Sequence, residues 1–370
     1  IAYKPAAGTS SISVYAQDAE GGVSSVATVV VYTPQGNDNG TPTYVWQNAA
    51  DAASELNVSW LANPLYADDE AYVQIATSED AVAESHPQSG DCGLVTFASG
   101  ASAAYVGSAL LTDLEPGTMY YYRVGDGEHW SDIMTYTTTY ANTGIDAVVL
   151  GDLQENDNAN LQGILEATGA SSADLVVQTG DLVDNGSSYA HWASTLTMLD
   201  SASTDRLFAI GNHEQGALDV NTALYNQDDS NYYSIEVGNT FIATFAFNGF
   251  TDDAICRMIA DAQASDATWK LLVMHQPPYY TNPGAGMGVD AQKRIAEAAE
   301  VAGIDVVLSG HDHSYARTEP MIGGEVVDVN EGVTYFICGS LGEKSYAVVD
   351  DPDFNFAITK DDYSAVYLTL

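Results

Sequence analysis

Three runs decide how this chain is read: IDAVVLGDLQENDNA from Ile145 to Ala159, ADLVVQTGDLVDNG from Ala173 to Gly186, and DRLFAIGNHE from Asp205 to Glu214. Each is a short apolar, largely β-branched run that ends in glycine and a polar cluster. Buried parallel strands carry this pattern and deliver their polar groups at the carboxyl ends. The spacing predicts Asp152, Asp181 and Asn212 on neighbouring loops at one edge of a sheet, where open α/β folds place their sites.

Two later runs end alike. KLLVMHQPP sets His275 just after Leu271–Met274, and IDVVLSGHDHSY sets His311 and His313 after Val306–Leu308. Five strand ends thus offer oxygen and imidazole donors, a mixture that suits Zn, Fe or Mn rather than Ca. Four of the seven histidines fall in these blocks, a concentration that core or surface histidines do not explain. A metal centre does.

Taken in order, GDLQ, GDLVDNG, GNHE, VMHQ and GHDH resemble the five signature blocks of the calcineurin-like metallophosphoesterases, from about Gly144 to the C terminus. The resemblance implies two mixed sheets between layers of helices and a pair of transition-metal ions. One ion falls to Asp152, Asp181, His313 and Gln154. The other falls to Asp181, Asn212, His275 and His311, with Asp181 bridging. Gln154 has three roles open to it: ligation through its amide oxygen, donation to a metal-bound water, or shaping of the loop. His213 resembles the family's histidine that contacts the phosphate and protonates the leaving alkoxide, so that His213, Asp181 and Asn212 form the catalytic set. Glu214 and Asp312 look like carboxylates that orient imidazoles from behind the ligands, and Asp184 stands beside them.

Upstream, residues 43–139 are rich in short alternating strands. They are read at Leu56–Ala62, Ala71–Thr77, Gly93–Ala98, Ala103–Leu114, Met119–Asp126 and Asp132–Thr138, which argues a β-sandwich. LLTDLEPGTMYYYRVGD, Leu110–Asp126, resembles a fibronectin type III-like domain of the kind that precedes the catalytic domain of purple acid phosphatases. Trp60 is then a core residue, and Tyr120–Tyr122 alternate between core and surface. Residues 1–36 read as the closing hairpin of a further immunoglobulin-like module, with more sandwich modules expected upstream, and Gly36–Pro42 reads as a linker. In the catalytic segment, 144–370, helical spacing predicts helices at Ala159–Ala170, Ser188–Ala202, Asp253–Ser265 and Val289–Gly303.

The chain departs from the purple acid phosphatase pattern in three places, one being the first block, GDLQ, where the family has a Gly or His version. The family's iron-binding tyrosine lies three residues after the bridging aspartate, where this chain has Asp184. A tyrosinate–Fe(III) pair is therefore not expected, and Zn, Mn or Fe(II) fill the list of candidate metals. The histidines that many members carry after the VMH-type block are replaced by TNPGAGMGVD, Thr281–Asp290, which suggests a flexible loop over the site.

Composition sets the outer limits. Lys plus Arg total 10 against 51 Asp plus Glu, a net charge of −41 over 370 residues. Such a surface repels nucleic acid and anionic lipid, and it fits a secreted, extracellular or cell-surface protein. No apolar stretch is long enough to span a membrane. Three cysteines, at 92, 256 and 338, form an odd set with no CxxC spacing, and Cys256 and Cys338 read as inert core thiols.

The expected partner is a small phosphorylated substrate, most simply a phosphate monoester. A phosphodiester, such as a nucleotide or a phospholipid headgroup, would use the same ligands. A non-catalytic adhesion protein built on a degenerate scaffold would have lost ligands, and all of them are present.

Overall fold

The computed structural model describes residues 11–370 apart from 15–16, 25–26, 31, 141, 155–158, 200–204, 226–230, 330, 343, 350–353 and 362–363. In the C-terminal half, Asp146–Leu150 pairs in parallel with Leu175–Gln178, which pairs in parallel with Asp205–Phe208. Ala365–Thr369 adds antiparallel to the free side of the first strand. A second sheet takes the order Tyr232–Val237, Thr240–Phe245, Trp269–Met274, Val306–Ser309, Thr334–Cys338, Tyr315–Thr318 and Phe356–Lys360. Its four consecutive strands from Thr240–Phe245 to Thr334–Cys338 are parallel.

The near-continuous apolar runs follow from burial on both faces. In Asp146–Leu150, Ala147 and Val149 face the second sheet, in a dry layer shared with Leu175, Val177, Leu271, Val273 and Leu308. Val148 and Leu150 face the other way, toward Trp192, Leu196, Val220 and Leu224 of the helices Tyr189–Met198 and Leu218–Tyr225. Asp252–Ala264 and Val289–Ala302 cover the outer face of the second sheet through Ile255, Met258, Ile295 and Ala299. Each fully buried aliphatic chain contributes ~1.5–3 kcal/mol, so a polar residue on either face of these strands would be costly. Two mixed sheets between helical layers are what the sequence predicts. The helix expected at Ser188–Ala202 ends at Met198, and positions 200–202 lie outside the described residues.

The N-terminal sandwich also forms as read. Leu56–Ala62, Asp91–Phe97 and Ser102–Leu111 lie in one sheet, and Tyr72–Ala76, Met119–Gly125 and Met134–Thr137 lie in the other. Trp60 and Tyr122 meet between them with Val58, Val73 and Val124. Ser11–Val14 pairs antiparallel with Ala27–Val30, the hairpin that the alternation predicts, while residues 1–10 of that segment lie outside the described ones.

Of the strands that sequence reasoning missed, one matters most. Thr43–Asn48 follows the Gly36–Pro42 stretch directly, pairs antiparallel with Leu56–Ala62, and reaches the catalytic half. Asn48 pairs in parallel with Arg206, and the Ala49 amide donates to the Arg206 carbonyl at 2.7 Å. The sandwich sheet and the first catalytic sheet are thereby one nine-stranded sheet.

One cysteine also differs from expectation. Cys338 is buried, but Cys256 is exposed, because Ile255 and Met258 take the inner face of that helix. Among the described residues no helix is long and apolar enough to cross a membrane.

Candidate metal centre

The five blocks converge at the carboxyl ends of parallel strands from both sheets, three from the first and two from the second. Tight loops bring them together. Asp181 (φ 54°), His311 (φ 66°) and Gln154 (φ 42°) all sit in the left-handed region, a conformation that costs energy in non-glycine residues and gathers at functional sites. The glycines of the motifs allow close approach. A Cβ on Gly180 would lie 2.4 Å from Nδ1 of His275, and one on Gly211 would lie 2.2 Å from Oδ1 of Asp181.

The placement of protons gives the cluster its meaning. Nδ1 of His275 lies 3.0 Å from the Thr179 carbonyl. A carbonyl only accepts, so Nδ1 carries the hydrogen and the neutral ring presents a bare Nε2. That nitrogen lies 3.2 Å from Asp181 Oδ2, 3.1 Å from Asn212 Oδ1 and 3.1 Å from His311 Nδ1. Four candidate metal donors face one another. His313 repeats the arrangement: its Nδ1 donates to the Lys344 carbonyl at 3.0 Å, and its Nε2 faces Asp152 Oδ2 at 3.0 Å. Asp152 Oδ2 is buried and has no hydrogen-bond partner.

Opposed lone pairs in a buried site call for a cation between them. Ligand atoms of Asp181, His275 and His311 lie within 4.8 Å of one another. A proton on His275 answers the same demand. Burial alone would depress the His275 imidazole, but the carboxylates of Asp181 and Asp152 push it up, and in return His275 holds Asp181 low despite its burial. Burial and the neighbouring His275 charge push His311 down to about 4.

Gln154 enters the cluster through its amide nitrogen, which donates to Asp181 Oδ2 at 2.7 Å. Two other expected contacts are corrected. Glu214 accepts from the backbone amides of Asp181, Val183 and Gly211 at 2.8–3.0 Å, and burial followed by the charge of Asp181 pushes its carboxyl up to about 8. Asp312 Oδ2 accepts from the amides of Thr281 and Asn282 and from the Thr281 hydroxyl at 2.6–3.0 Å. Both acids brace backbone rather than imidazoles. The reason is that main-chain carbonyls at Thr179, Lys344 and Asp184 already take the outer ring nitrogens of His275, His313 and His213. Asp184 also sets its carboxylate 3.4 Å from Nδ1 of His213.

A cavity of 360 Å³ opens onto the cluster, lined by Gln154, Asp181, Asn212, His213, His311 and His313. Asn282, Gly284 and Ala285 of the glycine-rich run close one side. That run covers the site as expected, but it is anchored rather than loose: Thr281 is tied to Asp312, and Ala285 and Met287 are buried. Lys344 and Tyr346 complete the lining and were missed from the sequence. The Tyr346 ring stacks on His313 at 4.7 Å with the planes 22° apart. The signal was available: VTYFICGSLGEKSYA is one more apolar run ending in glycine, and its strand Thr334–Cys338 ends at the same edge.

Residues 41–138 match the purple acid phosphatase N-terminal domain, and residues 146–315 match the calcineurin-like phosphoesterases. Residues 146–315 thus carry a calcineurin-like phosphoesterase domain, preceded by the N-terminal domain type of the purple acid phosphatases. Purple acid phosphatase 21 of Arabidopsis thaliana is 27% identical over 234 residues, which are 56% of this chain and 52% of that protein. The chain therefore spans about half the length of that plant relative. Acid phosphatase type 7 of Danio rerio is 23% identical over 320 residues, 72% of each chain. A purple acid phosphatase from yellow lupin (Lupinus luteus) seeds shares the fold, with a TM-score of 0.74 at 16% identity over 97% of this chain and 75% of that one. Phosphoesterases of this branch use two transition-metal ions, and the two sets of opposed donors fit such a pair.

Proposed function

We propose that this phosphoesterase is a secreted, binuclear metal-dependent hydrolase of phosphate monoesters. The proposal places the sandwich at 43–139 and the catalytic unit at 144–370. The observation that carries it is the pair of imidazole nitrogens, His275 Nε2 and His313 Nε2, each facing oxygen: Asp181 and Asn212 for the first, Asp152 for the second. Asp152, Asp181 and His313 would hold one ion with Gln154 beside them, and Asp181, Asn212, His275 and His311 the other. When bound, two such ions neutralise phosphate charge and make a shared water acidic enough to attack near neutral pH.

The chain's own groups do the remainder. Asp181 touches both donor sets through Oδ2, which accepts from Gln154 Nε2 at 2.7 Å and lies 3.2 Å from His275 Nε2, while Oδ1 takes the His213 amide at 2.9 Å. Glu214 fixes that loop from below through three amides. His213 is held at Nδ1 by the Asp184 carbonyl at 2.6 Å, which turns Nε2 toward the cavity, 3.8 Å from Asp181 Oδ2. From there a protonated Nε2 donates to a phosphate oxygen and passes its proton to the departing alkoxide. Asn282 to Ala285 limit water on the open side. With Asp184 three residues after Asp181, that position offers no phenolate to ferric iron. The acidic surface supports a location outside the cell.

Metal analysis of the purified protein, paired with hydrolysis of p-nitrophenyl phosphate and bis-p-nitrophenyl phosphate, tests this. About two transition-metal ions per chain and faster monoester cleavage are expected. Faster diester cleavage would move the assignment to a phosphodiesterase. No metal, and no activity after adding Zn, Mn or Fe, would point to a non-catalytic surface protein.

A further inference from the structure

We propose that Lys344 selects the substrate, by binding the charge that a phosphate monoester has and a diester lacks. The inference rests on the phosphate-ester reading of the site. Lys344 lies outside all five signature blocks, yet its carbonyl takes Nδ1 of His313 at 3.0 Å, which ties this residue to the ligand cluster. Its side chain lines the same cavity as His213, Asn212 and Asp181. Among the residues lining that cavity it is the only lysine or arginine.

The ammonium is held in place. Nζ lies 5.3 Å from the Tyr346 ring centroid, and that ring stacks on His313 while the Tyr346 amide donates to the His313 carbonyl at 2.9 Å. The ligand, the aromatic ring and the ammonium are therefore linked in a row, and Lys344 and Tyr346 both line the cavity. The lining also holds the neutral Asn282, Gly284 and Ala285. In a chain with 10 basic against 51 acidic residues, a cation facing the site stands out as the one fixed positive charge offered to an anion there.

The chemistry then discriminates. A monoester near neutral pH carries a second negative charge on an oxygen that a diester has esterified. An ammonium is a compact point charge that rewards charge more than shape, and a charge-assisted bond to phosphate oxygen is among the stronger ones. Lys344 binds that oxygen in the monoester and finds an ester group there in a diester. Orthophosphate, which presents the same oxygens, binds by the same contact.

Lys344→Ala, Lys344→Met and Lys344→Arg test the proposal in the metal-loaded full chain. The readouts are metal content, orthophosphate affinity by calorimetry, and kcat/KM for the two p-nitrophenyl esters. In the Ala and Met variants, metal content stays at the parent level and orthophosphate affinity falls ~10-fold or more. Monoester kcat/KM falls in step while diester kcat/KM holds, and Arg restores most of the loss. Unchanged orthophosphate affinity, an equal fall for both esters, or loss of metal would each overturn the assignment, the last by making Lys344 a support for His313. A parent protein that binds metal but cleaves neither ester defeats the reading of the site instead, and the calorimetry separates the two failures because it needs no turnover.

Discussion

At the scale of single residues, His213 shows how a side chain is committed before any substrate arrives. Its Nδ1 is taken by the Asp184 carbonyl at 2.6 Å, its amide is taken by Asp181 Oδ1 at 2.9 Å, and only Nε2 is left to face the cavity. Nε2 is 3.8 Å from Asp181 Oδ2, outside bonding distance, so removing the ring leaves the ligand cluster intact. His213→Ala should therefore keep its metal and lose ~10²–10⁴-fold in turnover, the span of a missing acid–base group. The loss should be larger for an alkyl phosphate than for p-nitrophenyl phosphate, because a poor leaving group depends more on receiving a proton. Asp181→Ala should by contrast lose metal altogether. Full turnover in the His213 variant, or an equal loss for both leaving groups, would remove the proton-donor assignment.

At the scale of strands and loops, one buried acid gives a pH-dependent prediction. Asp205 opens the strand Asp205–Phe208 inside the protein, where burial and then the charge of Asp174 push its carboxyl up to about 7. An unfolded aspartate titrates near ~3.9. Between these values the folded chain keeps a proton that the unfolded chain has released, so stability falls as pH rises through the window. The cost is absent below ~4 and complete above ~7. Asp205→Asn should raise the melting temperature at pH 8, by an amount on the order of 2 kcal/mol in stability, and change little at pH 4. Equal melting temperatures at pH 8 would show that the burial cost is offset within the fold.

The same scale shows what the sequence discloses. The place of the candidate ligands was legible because a parallel strand buried on both faces has few ways to read except as an apolar run, and its end announces a loop. Glu214 and Asp312 were visible as acids, but their partners were not. Those partners are backbone amides at Asp181, Gly211 and Thr281, and amides leave no trace in side-chain chemistry. Lys344 was hidden for another reason: it lies beyond the last block, and only the shared sheet edge brings it to His313.

At the scale of the whole molecule, the strand Thr43–Asn48 joins what the sequence divides. The sequence reads as a sandwich at 43–139 and a catalytic unit at 144–370, yet Asn48 and Arg206 make their sheets continuous. Packing crosses the same line, since Trp46, Leu61 and Phe97 of the sandwich share one cluster with Trp192, Leu196 and Phe208 of the catalytic half. Exposing three such side chains costs ~1.5–3 kcal/mol each, a sum comparable to the ~5–15 kcal/mol by which a typical domain is stable. Removal would also bare the edge of Asp205–Phe208, and an uncovered strand edge invites association. A fragment of residues 144–370 should therefore aggregate or fail to fold. Removing only residues 1–32, whose hairpin pairs with itself, should leave a soluble protein with its metal. Sedimentation and metal analysis of the two fragments decide the matter. A monomeric, metal-loaded and fully active 144–370 fragment would mean that the shared sheet and cluster contribute little, and that the sandwich serves some purpose other than holding the catalytic half together.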